Sequence, residues 1–319
     1  MKKIFLFMAL CLATVFAAKA GTKEVYTVFV EATATLTFYC DDKKSTHTAE
    51  GTVETYDPVN EPDKLRFIGY ADKVTKAVIN PSMKDTLLTS MGNMFYGGVD
   101  WYSHNEYTLE KLTTIEGLEN LNTSNVTDMN GLFAGCNLLA SINISSFNTS
   151  NVTDMNSMFF DCMALESITF GASFSTANVT DMRYMFAYCQ ALKSLDLSAF
   201  NTTKVTDMRN MFSDCSELET IYCNDDWSLN STATSDDMFK NCPKLKGGNN
   251  TTYDSNHIDA AYAHLDEAGN PGYFTKKTTT GMETVTNDQS PITNKIIKDN
   301  HLLILRGEKV YTVTGQELR

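Results

Sequence analysis

The sequence predicts an α/β leucine-rich-repeat solenoid, in which each unit adds a short helix and one parallel strand to a growing stack. Three observations carry that expectation. Val-Thr-Asp-Met occurs four times, beginning at Val126, Val152, Val179 and Val205, at spacings of 26, 27 and 26. A fixed period in this range is the signature of stacked supersecondary units. Met182, Met185, Phe186 and Cys189 stand at i, i+3, i+4 and i+7, the spacing of one helical face. Leu192-Lys193-Ser194-Leu195-Asp196-Leu197 then follows L-x-x-L-x-L, the strand of such a repeat, with Leu195 and Leu197 inward and Ser194, Asp196 and Ser198 outward.

The complete units are 122–147, 148–174, 175–200 and 201–227. A degenerate fifth contains Met238, Phe239 and Cys242, and Met91-x-x-Met94-Phe95 marks a degenerate first. The solenoid is placed at 81–246. One unit cannot bury its apolar face alone, so stability must come from contacts between neighbours, and the two ends need caps. Residues 21–80, rich in Val, Thr, Tyr and Phe with alternating character, are the expected N-terminal β cap. Residues 247–275 are the expected C-terminal cap. Residues 96–108 interrupt the first unit and bring Trp101 close to Tyr96, Tyr102 and Tyr107. Both a binding loop and local packing fit that insertion.

The ends of the chain look like addresses. Lys2 and Lys3, the apolar run Ile4–Ala18 and the Ala18-Lys19-Ala20 site predict a signal peptide over 1–20. No later apolar run approaches spanning length, so no transmembrane segment is expected in the mature chain. Residues 276–292 are a Thr-rich linker. In 293–319, His301–Leu305 and Lys309–Val313 are expected strands about a turn at Arg306-Gly307-Glu308.

The repeat consensus N-T-S-N-V-T-D-M-x-x-M-F-x-x-C-x-x-L-x-S-L-x-L-S-x-F resembles the BspA-like leucine-rich repeat surface proteins. Thr35–Tyr39 resembles that family's opening strand, Lys73–Ile79 its first stacked strand, and Gly247–Thr251 through Pro271–Phe274 its closing segment. The resemblance covers about residues 26–275. It implies a non-catalytic protein at a bacterial cell surface that adheres to host proteins or other cells. The tail, with I-L-R-G-x-K-V-Y-T-V-T-G-Q, resembles the C-terminal sorting signal of type IX secretion, though it is shorter than that system's full β-sandwich domain. A hairpin docked on the main body is the other reading of 293–319.

Composition narrows the partners. The chain of 319 residues carries a formal charge of -13, and loss of the leader, with three lysines and no acid, makes it -16. Such a chain repels phosphate backbones, which argues against nucleic acid, and anionic membrane surfaces for the same reason. There is no G-x-S-x-G, H-E-x-x-H, C-x-x-C or phosphate-binding glycine loop, so no catalytic residue and no cofactor is expected. Cys136, Cys162, Cys189, Cys215 and Cys242 share one repeat position. They are expected as small buried hydrophobes; a metal or disulfide column is the alternative. Asp128, Asp154, Asp181 and Asp207 are expected as helix N-caps rather than a calcium column. No metal site is therefore expected.

For binding, the strand face is small and polar, with Tyr222 its one aromatic. The outward side of the expected helices carries Phe160, Arg183, Tyr184, Tyr188 and Arg209 on adjacent units, a composition of interface hot spots. These six residues are the candidate contacts for a protein ligand. A self-associating matrix component and a carbohydrate-binding module are the alternatives.

Overall fold

The computed structural model describes residues 23–55, 69–98, 108–227 and 233–277, together with the strands within 293–318. The expected signal peptide, most of the Trp101 insertion and all but the first two residues of the linker lie outside the described residues. The chain divides into two compact units, 1–276 and 277–319.

In the first unit, β1 (Glu24–Val30), β2 (Thr35–Asp41) and β3 (Thr52–Thr55) form an antiparallel meander about β1. The alternation in β2 buries Leu36, Phe38 and Cys40 and turns Thr35, Thr37 and Tyr39 toward solvent. β4 (Lys76–Ile79) joins β2 in parallel, and β5 (Thr114–Glu116) joins β4, giving the order β3-β1-β2-β4-β5. A parallel pair, β6 (Ser141–Ile144) and β7 (Ser167–Phe170), follows. Then β8 (Ser194–Asp196), β9 (Thr220–Cys223) and β10 (Phe274–Lys276) form a parallel sheet with β9 in the middle.

The second unit is an antiparallel sheet of β11 (Thr293–Lys298), β12 (His301–Arg306), β13 (Lys309–Thr312) and β14 (Glu317–Leu318). β12 and β13 are the two strands expected there. β11 and β14 flank them.

The expected α/β leucine-rich-repeat solenoid is corrected by this architecture. Several short sheets, parallel and antiparallel, replace a continuous repeat sheet. Among the described residues there is no α-helix, and the six 3-10 segments all lie outside 122–227. The chain is α/β only in the coarse sense that strands alternate with short helical turns.

The destination of the backbone N–H groups explains why 182–189 is not a helix. An α-helix needs each N–H to reach the carbonyl four residues back. Here Met182, Tyr184, Phe186 and Tyr188 donate instead to the carbonyls of Asp207, Arg209, Met211 and Ser213, at 2.8–3.0 Å. The intervening Met185, Ala187 and Cys189 donate three residues back, at 3.1–3.3 Å. The segment is therefore a run of turns bonded sideways to the next repeat. The same arrangement recurs at 155–162, where Met155, Ser157, Phe159 and Asp161 donate to residues 181–187.

These turns place the core. Phe95, Phe133, Phe159, Phe186, Phe212 and Phe239 stack with centroids 5.5–5.7 Å apart and planes within 12° of parallel. Offset stacking at this distance adds to the area each ring buries. Beside the rings, Cys136, Cys162, Cys189, Cys215 and Cys242 are buried and unpaired. Each thiol donates to a phenylalanine carbonyl of the preceding repeat, for example Cys189 Sγ to Phe159 O at 3.2 Å and Cys215 Sγ to Phe186 O at 3.0 Å.

Threonines lace the outside: the hydroxyls of Thr153, Thr180 and Thr206 donate to the carbonyls of Thr127, Thr153 and Thr180 at 3.1–3.2 Å. The aspartates cap turns, not helices. Oδ1 of Asp128, Asp154, Asp181 and Asp207 accepts from the N–H two residues on, at 2.8–3.1 Å.

Candidate functional site

Two backbone positions in each of five successive turn segments lie in the left-handed region, four residues apart. They are Gly131 and Gly135, Ser157 and Asp161, Tyr184 and Tyr188, Asn210 and Asp214, Asp237 and Asn241. Glycine, asparagine and aspartate tolerate this conformation, and they fill every one of these positions except three. Gly135 shows how tight the geometry is, because a Cβ there would overlap the backbone nitrogen of Gly98. One repeat departs completely: Tyr184 (φ 56°) and Tyr188 (φ 63°) put bulky aromatics at both positions. A bulky residue held in this region is an outlier, and such outliers cluster at functional sites.

The two tyrosines are each 37% exposed. Both meet Phe160 of the preceding repeat edge-on, Tyr184 at 6.0 Å and 88°, Tyr188 at 5.6 Å and 76°. Phe160 is half-buried beneath them. The Asp214 carboxylate, facing the Tyr188 hydroxyl, raises its pKa above the ordinary phenol value.

The arginines are held by the aspartate column. Arg183 Nε donates to Asp181 Oδ2 at 2.9 Å, and its guanidinium also lies 3.5 Å from Asp207. Arg209 Nη2 donates to Asp207 Oδ2 at 2.6 Å and Nε to Oδ1 at 3.0 Å. Burial alone would raise the Asp207 carboxyl, but hydrogen bonds from Arg209 outweigh it and the pKa falls. Asp154 lies beside Asp181 without an arginine of its own, and burial holds its carboxyl above the usual range. The forked pairs pre-order both guanidinium planes at the edge of the aromatic patch.

The structure therefore brings together Phe160, Arg183, Tyr184, Tyr188 and Arg209, on turns rather than on the expected helices. Tyr222 stands elsewhere, on β9, 37% exposed and flanked in register by Asp196 on β8 and Thr275 on β10. The closing segment, where His257 is expected only as part of the C-terminal cap, brings together a second group, Tyr253, Asp254, His257 and Tyr262, which line one open cleft. Its signal was available: three aromatic or imidazole rings and a carboxylate within ten residues.

A family model described as "Mycoplasma protein of unknown function, DUF285" matches residues 89–193 and again 168–270, together more than half of the chain. No curated protein and no solved structure matches it.

Proposed function

The chain belongs to the DUF285 family, and from that premise we propose that it is a non-catalytic, secreted or surface-displayed protein that binds other proteins, an adhesin. The contact surface is Phe160, Tyr184 and Tyr188, edged by Arg183 and Arg209. One observation carries the reading: a single repeat places tyrosines at both left-handed positions, where the other repeats use glycine, asparagine or aspartate at all but Ser157. Backbone cost retained for two exposed rings is explained by what the rings contact outside the chain. Tyrosine and arginine are also the residue types that dominate interface energetics. The resemblance of the repeat consensus to BspA-like surface proteins supports the same reading, as does the leader-like start of the chain.

The test uses the full mature chain and a Tyr184→Asn/Tyr188→Asn variant. Each is titrated against a panel of immobilised host extracellular proteins. Saturable binding by the parent chain, weakened at least tenfold in the variant, is expected. Absence of binding across the panel, or equal binding by both forms, overturns the proposal.

A further inference from the structure

The closing segment presents a shallow, open cleft lined by Tyr253, Asp254, His257 and Tyr262 together with Asn250 and Thr252. Its aromatic floor is anchored from below. Tyr273 is fully buried, with Tyr262 5.0 Å and Tyr253 6.4 Å from it, ring to ring. The Tyr253 hydroxyl accepts from the Asn241 N–H at 3.1 Å, and the Tyr273 hydroxyl accepts from the Asp254 N–H at 2.9 Å. These bonds fix where both rings stand. His257 stacks on Tyr262 at 4.4 Å and 29°, so Tyr262 lies between His257 and Tyr273 and the exposed imidazole forms the outer layer.

The polar groups are equally fixed. Asp254 Oδ1 accepts from the Asn256 N–H and Nδ2, both at 2.9 Å, and Oδ2 lies 3.2 Å from His257 Nδ1. Asp254 and His257 are nonetheless exposed. An open, polar cleft with a rigid aromatic wall and a pre-oriented carboxylate and imidazole suits one ligand chemistry well. A pyranose ring has an apolar face that stacks on an aromatic ring and vicinal hydroxyls that bond planar polar side chains. The carboxylate at the cleft and the acidic chain as a whole disfavour sulfated or uronic sugars.

We infer that this cleft is a binding site for a neutral pyranose, separate from the aromatic patch proposed for protein contact. Tyr253 and the outward face of the His257 imidazole, carried on Tyr262, supply the stacking surface; Asp254 supplies the hydroxyl partner.

Binding of the full mature chain is measured against immobilised glucosides, galactosides, mannosides and N-acetylglucosaminides, with heparin and sialosides as acidic probes. Saturable binding to at least one neutral sugar is expected. His257→Ala and Asp254→Ala, both at exposed positions, should weaken it at least tenfold, whereas Tyr184→Asn/Tyr188→Asn should leave it unchanged. Tyr262→Ala should abolish it, with thermal melting used to check that the floor on Tyr273 survives. Lack of neutral-sugar binding, binding confined to acidic probes, or insensitivity to both exposed substitutions overturns the inference. The double-tyrosine variant separates this outcome from failure of the protein-contact reading.

Discussion

Replacing the two left-handed tyrosines should make the protein more stable while it loses its ligand. A left-handed backbone costs an ordinary L-residue about 1–2 kcal/mol, and asparagine tolerates it better. Tyr184→Asn, at φ 56°, should therefore recover about 1 kcal/mol of backbone strain. It also loses one edge contact to Phe160. Aromatic pairs contribute about 0.5–1.5 kcal/mol, and a ring 37% exposed sits at the low end, about 0.5 kcal/mol. The net gain is about 0.5 kcal/mol at 184; at 188 the same two terms are offset by loss of the exposed hydroxyl's contact with Asp214, about 0.5 kcal/mol, so the pair gains about 0.5 kcal/mol. For a domain of this size, that raises Tm by about 1–2 °C. The reverse change in the next repeat, Asn210→Tyr, introduces the strain at φ 56° where the preceding repeat holds Ala187 at the position of Phe160 and so offers no ring beneath it. It should cost about 1 kcal/mol. Urea unfolding followed by circular dichroism reads all three variants on one scale. The reasoning fails if the double asparagine variant melts lower than the parent, or if Asn210→Tyr has no effect.

Other perturbations test the column beneath. Burial pushes the Cys223 and Cys242 thiols up to about 12, and drives Cys136, Cys189 and Cys215 well above the ordinary value. Thiols raised in the folded state stabilise it fully below the unfolded thiol pKa, near 8.5, and that stability is lost as pH rises toward 12. The urea midpoint should thus fall steeply above about pH 9, by up to about 1.4 kcal/mol per pH unit for each such thiol; a flat profile to pH 11 would contradict their burial. Phe186→Ala breaks the ring stack on both sides and should cost about 3–5 kcal/mol by urea unfolding. Asp181→Ala removes the acceptor for the Arg183 N–H and guanidinium and should cost about 1–2 kcal/mol, with Asp181→Asn recovering the backbone part. Deleting residues 293–319 should leave the protein in the periplasm when cells are fractionated; export to the surface without them would remove the sorting reading.

The period, the inward residues and the column of cysteines were all legible in the sequence, because a repeat broadcasts each buried position several times. The backbone between them was not. Met182, Met185, Phe186 and Cys189 face one way in a helix, and they face the same way in a run of turns whose alternate N–H groups leave for the next repeat. Side-chain spacing is blind to that choice. A sign was present at other positions: Gly131 and Gly135, Asn210 and Asp214, and Asp237 and Asn241 recur four apart, and these residue types favour left-handed turns over helix interiors. The five residues of the aromatic patch could be chosen from sequence because each stands at an outward position of a known period. Tyr222 was chosen by the same logic of exposure, but membership of a strand separates it from residues on turns. The sugar cleft lies where the repeat ends, and no periodicity reports on side chains brought together by an irregular segment.

A stack of near-identical units imposes the same demand at each position, so what a unit does beyond stacking is visible where it declines the common solution. Repeats at 131, 210 and 237 meet the left-handed requirement with residues that carry little recognition chemistry. The repeat at 184 meets it with two phenols, and the unit before it supplies a phenylalanine under both. Three residues from two units must coincide for that patch to exist, while the ring column and thiol bonds beneath it continue unchanged through Phe159, Phe186 and Phe212. Packing therefore does not ask for the tyrosines. If asparagine at 184 and 188 stabilises the fold, as the strain argument requires, their retention is left to an interaction outside the chain. Stability and binding then move in opposite directions on the same substitution, which a purely structural role for the rings would not produce.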